Sequence, residues 1–250
     1  MIRTLMLATA CSVIAAGAPP TASAQTNAPA AKPLRTLVYA VQFAATTTNE
    51  ERTSGFNGNG NGNPSGPSTT TRTSSAGDEG TLTANVVAAT SDGGLAVDTA
   101  FTGKTSSQPP VRIVIFPDGR LSVPPSASLA PEVARLLPML ARGVIAQRTV
   151  APGSSWTIPT APPVKGAYTF RVTAVDGDDA TFAIDVDMTV AGAQGFDEHG
   201  RATATYDTAR VCPLKYEYTG TLRHTAAMDQ YVTTTAHFTA TLVSDSFLKK

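Results

Sequence analysis

ATFAIDVDMTV, residues 180–190, decides the fold. Ala180, Phe182, Ile184, Val186, Met188 and Val190 alternate with Thr181, Asp185, Asp187 and Thr189. A repeat of two is the period of a β-strand, whose successive side chains leave opposite faces. One face of this strand is apolar and the other polar. GAYTFRVTAV before it sets Tyr168, Phe170, Val172 and Ala174 on one side, and DGDD at 176–179 is a turn between the two strands.

The pattern recurs in both directions. Downstream, GRATATYDTA aligns Ala202, Ala204 and Tyr206, and LKYEYTGTLRH aligns Leu214, Tyr216, Tyr218 and Leu222. The last run sets Val232, Ala236, Phe238, Ala240 and Leu242 against Thr233, Thr235, His237, Thr239 and Thr241. Upstream, LRTLVYAVQFAATT aligns Leu37, Tyr39, Val41 and Phe43, and GTLTANVVAATS aligns Leu82, Ala84, Val86 and Ala88. LAVDTAFTG and the mostly apolar VRIVIF follow, with SDGG at 91–94 and PDGR at 117–120 as tight turns.

Long strands joined by short turns favour an antiparallel meander. One shared apolar side implies a single sheet with one wet face. About ten strands curl when twisted. The predicted fold is therefore mainly β with a little α: a curved antiparallel sheet, or half-barrel, of about ten strands with one kinked helix packed on its concave face.

That helix lies in LAPEVARLLPMLARGV, residues 129–144. Leu129, Val133, Leu136, Leu137, Leu140 and Val144 form a stripe near the helical period. Pro131 suits a first turn, whereas Pro138 removes a hydrogen bond and crowds the preceding turn. The expected outcome is a kink or two short helices. The stripe needs burial, and the sheet is the partner on offer.

GFNGNGNGNPSGPSTTTRTSSAG, residues 55–77, has too little apolar surface to order itself. Only one strand precedes it, and a lone strand does not fold. It therefore reads as a loop over 49–78 that leaves the sheet and returns to it. Closing about 30 residues costs about 3 kcal/mol plus a constant, which a sizeable core offsets.

The first 24 residues read as a secretion signal. Arg3 leads an apolar run, Leu5 to Ala16, that is short for a membrane span, and Ala22-Ser23-Ala24 fits the small-x-small cleavage rule. A lipoprotein joined through Cys11 is the weaker alternative, because little apolar sequence precedes that cysteine. Residues 25–33 read as a disordered N-terminus and 34–250 as one β-rich domain, in the periplasm or outside the cell. The mature chain would hold 18 basic and 19 acidic residues. That balance offers no electrostatic drive towards nucleic acid. Cys212 would be its one cysteine, so no intramolecular disulfide is expected.

Catalytic and metal signatures are weak. Asp185 and Asp187 share a strand face about 7 Å apart, a separation glycosidases use, but the face reads as solvated. Asp176, Asp178 and Asp179 crowd a turn without the Gly and distal Glu of a calcium loop. His199, placed in a turn DEHGR, His224 and His237 share no metal spacing. GSSW at 153–156 lacks the setting of a nucleophile elbow. Cys212 reads as a packed residue. No enzyme activity, cofactor or metal is expected.

Val150, Gly153 and Trp156 make a V-x-x-G-x-x-W segment between the helix and the second meander. Together with GRATATYDTARVCPLKYEYTG at 200–220, this resembles the bacterial half-barrel proteins of the LolA and LppX lipoprotein-carrier group. The resemblance spans about residues 34–245. It implies an incomplete barrel with a concave apolar surface for lipid or acyl chains, and no catalytic residues. The long Gly/Asn insert and the proline-broken helix depart from that group.

The resulting expectation is a non-enzymatic binding protein holding a lipid or other apolar ligand between sheet and helix. Its candidate wall is Val133, Leu136, Leu137 and Leu140 from the helical stripe, with Phe170, Phe182 and Phe238 from the sheet. The alternative is a structural or cell-envelope interaction domain in which these residues are a filled core.

Overall fold

The computed structural model describes residues 33–53, 68–124, 129, 131–160, 164–191, 195–227 and 230–247. The predicted signal peptide, and nearly all of the predicted 25–33 terminus, lie outside them.

Eleven strands form one antiparallel sheet. They are β1 (Arg35–Thr53), β2 (Ser68–Ala89), β3 (Leu95–Gly103), β4 (Ser107–Ile115), β5 (Leu121–Ser122), β6 (Ser155–Pro159), β7 (Lys165–Asp176), β8 (Asp179–Val190), β9 (Phe196–Asp207), β10 (Cys212–Ala227) and β11 (Gln230–Asp245). Their order across the sheet is β5-β4-β3-β2-β1-β11-β10-β9-β8-β7-β6. Two meanders thus meet where the first strand pairs with the last, Phe43 facing Phe238.

The alternation holds along the strands. Leu37, Tyr39 and Val41 of β1, Leu82, Ala84 and Val86 of β2, and Ala180, Phe182, Ile184 and Val186 of β8 are all buried. Their alternate neighbours carry the polar face. There Arg112 pairs with Asp98 at 2.7 Å, Arg201 with Asp185 at 3.6 Å, and His199 Nδ1 lies 3.1 Å from Asp187.

Because β5 and β6 are opposite edges, the chain between them must cross the whole sheet. It crosses on the apolar side. Val133, Leu136, Leu137, Met139, Leu140, Ala141 and Val144 share one core with the sheet residues. This crossing segment is not one kinked helix. A six-residue helix α1 (Pro131–Leu136) gives way to 3₁₀ turns at Leu137–Leu140 and Arg142–Val144. Pro138 cannot donate to the preceding turn, and its ring forces the tighter winding.

Both ends of the predicted 49–78 loop are strand instead. Asn49–Thr53 and Ser68–Asp78 are strand, paired in register from Phe43 with Asp78 to Thr53 with Ser68. Polar composition concealed this, because pairing in a two-sided wet ribbon needs no apolar alternation. Threonine is a good strand former on such surfaces. Thr46 and Ser75 hydroxyls meet at 3.3 Å, and those of Thr47 and Thr234 at 3.0 Å. Residues 54–67 of the predicted loop lie outside the described residues. His199 likewise sits within β9 rather than in a turn, opposite Thr221 and Asp187.

Candidate functional site

The helical segment is locked to the sheet by a buried charge. Glu198 occupies an inward position of β9, among Ala202, Ala204 and Tyr206, and is 2% exposed. Arg135, from the last turn of α1, hydrogen-bonds and ion-pairs with it. The Tyr218 hydroxyl donates to the same Glu198 Oε1 at 2.5 Å. Arg135 also lies over the Tyr218 ring, 4.2 Å from its centroid. The ring can reach there only because Gly200 and Gly220, facing one another on β9 and β10, carry no side chain. Burial opposes charge on the Arg135 guanidinium, but Glu198 outweighs it and raises its pKa. Burial pushes the Tyr218 phenol up, so it stays a donor at neutral pH. The alternation of β9 placed a glutamate on its apolar side, and that was the signal for this cluster. Reading DEHGR as a turn hid it.

The seven expected wall residues do meet in one core. Val133, Leu136, Leu137 and Leu140 come from the crossing segment, and Phe170, Phe182 and Phe238 from β7, β8 and β11. None is more than 3% exposed. Trp156 stacks on Phe170 with ring centroids 5.7 Å apart, Phe170 meets Phe182 edge-on at 6.2 Å, and Phe182 continues to Tyr206. They pack against one another instead of lining a groove open to solvent. Two open depressions among the described residues, of about 530 and 410 Å³, lie elsewhere. They are on the polar side of β1 and β2, where Gln42, Glu79 and Lys104 line both.

Among the described residues the inner face is not wholly covered. Ile158 of β6, Tyr168 of β7 and Met188 of β8 are partly exposed and pack against the core margin. Ile158 faces Tyr168 directly, one row beyond the Trp156–Phe170 stack. Met188 lies opposite Gly166 on β7. Phe43 of β1 is partly buried on the same face.

A second polar cluster closes one end of the core. Arg35 reaches from β1 to both Asp245 oxygens, at 3.0 and 2.8 Å, and to the Arg210 carbonyl at 2.7 Å. Cys212 is buried beside it, and burial pushes its thiol pKa up despite the nearby guanidinium. That setting makes a poor nucleophile. Asp185 and Asp187 stand exposed beside Arg201 and His199, without the burial that tunes a catalytic carboxyl. Among the described residues no group of three His, Cys, Asp or Glu is placed to hold a metal ion.

No family model matches the chain. No curated protein matches it. Among solved structures, one of lipovitellin, described for its lipid–protein interactions, is similar at a TM-score of 0.42 and 11% identity. The match covers 87% of this chain and 26% of that chain, so this chain spans about a quarter of the lipovitellin chain's length.

Proposed function

We propose that this chain is a secreted or periplasmic, non-enzymatic binding protein that takes a lipid acyl chain or similar apolar ligand on the inner face of its sheet. The observation that carries the reading is the uncovered margin at Ile158, Tyr168 and Met188, beside the Trp156–Phe170 stack. An apolar chain laid there would extend the core outward without displacing it. At about 25 cal/mol per Å² of apolar surface removed from water, covering 200 Å² would contribute about 5 kcal/mol before the costs of binding. The resemblance of Val150, Gly153, Trp156 and the 200–220 stretch to the LolA and LppX carriers supports the same reading.

A second reading has its own support. All seven residues of the expected wall are packed interior, as in a structural or cell-envelope interaction domain. Native mass spectrometry of protein isolated from the periplasm separates the two. Lipid adducts, with uptake of a fluorescent acyl probe that Ile158→Asp and Met188→Asp abolish, support the binding protein. A bare mass and no uptake leave the interaction domain.

A further inference from the structure

Met188, in the apolar margin, has a charged neighbour. Its direct cross-strand partner on β9 is Glu198. Side chains directly opposite in an antiparallel pair stand about 5 Å apart at Cβ. Between Ala180 and Ala204, Glu198 is the one charged residue at an inward position of β8 and β9 among the described residues. Asp185, Asp187, Asp197, His199 and Arg201 alternate onto the polar face and are exposed. The margin and the buried ion pair are therefore adjoining parts of one surface.

Arg135 is the member of that pair a ligand can reach. Its side chain is 21% exposed, against 3% for Glu198. Its Nη1 donates to Glu198 Oε1, and the guanidinium lies over the Tyr218 ring. Tyr168 of the margin and Arg135 both act on the Tyr216 phenol, so the two share one neighbourhood. The inner face thus offers a polar corner beside the apolar strip of Ile158 and Met188, and the charge of that corner is already balanced. An anionic head on Arg135 would set a second negative group against Glu198, and a cationic head would meet the guanidinium. Either would give up its own hydration for a pair that is neutral as a whole. An uncharged head avoids both costs. Its oxygen accepts a charge-assisted hydrogen bond from Arg135 and leaves the pair intact.

We propose that the ligand is a single-chain lipid with an uncharged, oxygen-bearing head, an ester or an alcohol, whose oxygen accepts from Arg135 while its chain covers Met188, Tyr168 and Ile158. This rests on the binding reading given above and narrows it, since ionised fatty acids and charged phospholipids become the disfavoured class. Glu198 then does more than fasten the crossing segment. By holding the Arg135 charge it selects against an anionic head, and selectivity is a difference between two affinities.

Trp156 is the one tryptophan of the sequence and lies two residues before Ile158 on β6, so its fluorescence reports on the margin. The test is quenching of Trp156 in the mature chain by dibromostearate and by its monoacylglycerol, each below its self-association concentration. At pH 8 the free acid is ionised. The monoacylglycerol should bind about tenfold tighter or more. Affinity for the acid should not fall between about 20 and about 300 mM NaCl, because no uncompensated cation holds it. Glu198→Gln frees the guanidinium charge and should raise acid affinity about tenfold while lowering that of the monoacylglycerol about threefold. Should that variant fail to fold, the wild-type ranking and salt series still decide. Equal or tighter binding of the acid, an acid affinity that drops several-fold with salt, or a folded Glu198→Gln chain with the wild-type ranking would overturn the head-group proposal and leave the binding reading standing. No quenching by either probe would sink both.

Discussion

Tyr218 lies so close over Gly220 that a Cβ added there would sit 1.9 Å from the phenol oxygen. The contact belongs to the same strand two residues on, so the ring runs flat along β10. Gly200, opposite on β9, is covered by the same ring, with its ideal Cβ position 2.6 Å away. Both glycines are thus needed for close approach and not for backbone freedom. Gly220→Ala should lift the ring off Glu198 and destabilise by about 1–3 kcal/mol, the usual cost of overpacking. Gly220→Ala in a Tyr218→Phe background should cost as much, since the ring still collides, and in Tyr218→Ala much less. Urea denaturation of these three variants and the two Tyr218 single variants measures the coupling.

Glu198 is nearly sealed by Arg135 and Tyr218, so its partners cannot be removed singly without cost. Arg135→Ala leaves a buried carboxylate without its counter-ion and should cost about 3–5 kcal/mol. Arg135→Met with Glu198→Gln keeps volume and removes both charges, and should lie within about 1–2 kcal/mol of wild type. The chemical denaturation midpoint decides. Equal losses in both variants would mean that packing of the Arg135 stem, not charge, fastens the crossing segment.

The sheet was legible because β1, β3, β7 to β9, β10 and β11 alternate apolar and polar residues over most of their length. It failed to show where alternation was absent. Ser68–Asp78 is wet on both faces, and its strand form comes from backbone pairing with β1, which composition does not encode. The crossing helix was visible as a stripe, but a stripe reports which residues are buried and not how the backbone winds. Pro138 limits α1 to six residues while the same leucines remain inside. Among candidate-site residues, the seven expected wall positions were legible as apolar. Whether they enclose space depends on how closely segments distant in sequence approach, and the pattern is silent on that.

Asp245 should make stability depend on acid pH. Burial works to raise its carboxyl pKa, and hydrogen bonds from Arg35 and Phe247 N–H, with the charges of Arg35 and Arg210, outweigh it. The folded pKa thus lies below the ordinary 3.8. A depressed carboxyl contributes stability that is complete above the unfolded value and lost as pH falls through the folded one. Stability should therefore fall below about pH 4. Asp245→Asn should lower stability at pH 7 by about 2–3 kcal/mol, since it leaves Arg35 with a weaker acceptor. It should also flatten the decline below pH 4. Thermal melts from pH 2.5 to 7 on both proteins give the two slopes.

Residues 54–67 can be replaced without touching a described pairing, since Thr53 and Ser68 close the β1–β2 register. Exchanging these fourteen residues for a four-residue Asn/Gly turn shortens the connection between Thr53 and Ser68 and should contribute about 1 kcal/mol of stability through closure entropy. A rise of a few degrees in Tm is the expected result. The replacement also sharpens the functional test. Deleting all of 49–78 would remove half of a strand pair, whereas this exchange leaves the sheet whole. Acyl-probe uptake should persist in it if the ligand lies at Ile158, Tyr168 and Met188, and envelope association should be lost if the segment docks there.

Leu137 and Met188 should part company under mutation. Leu137 is fully buried between the crossing segment and the sheet, and Met188 sits partly exposed at the margin. Leu137→Ala removes three buried heavy atoms and opens a hole, for about 2–5 kcal/mol. Met188→Ala should cost under about 1.5 kcal/mol, because its side chain keeps contact with water in the folded state. Ligand binding should show the reverse order: acyl-probe affinity should drop with Met188→Ala and hold with Leu137→Ala at temperatures where that variant is folded. If Leu137→Ala instead leaves stability unchanged and alters probe affinity, the space beneath the crossing segment is a ligand chamber and not a packed interior.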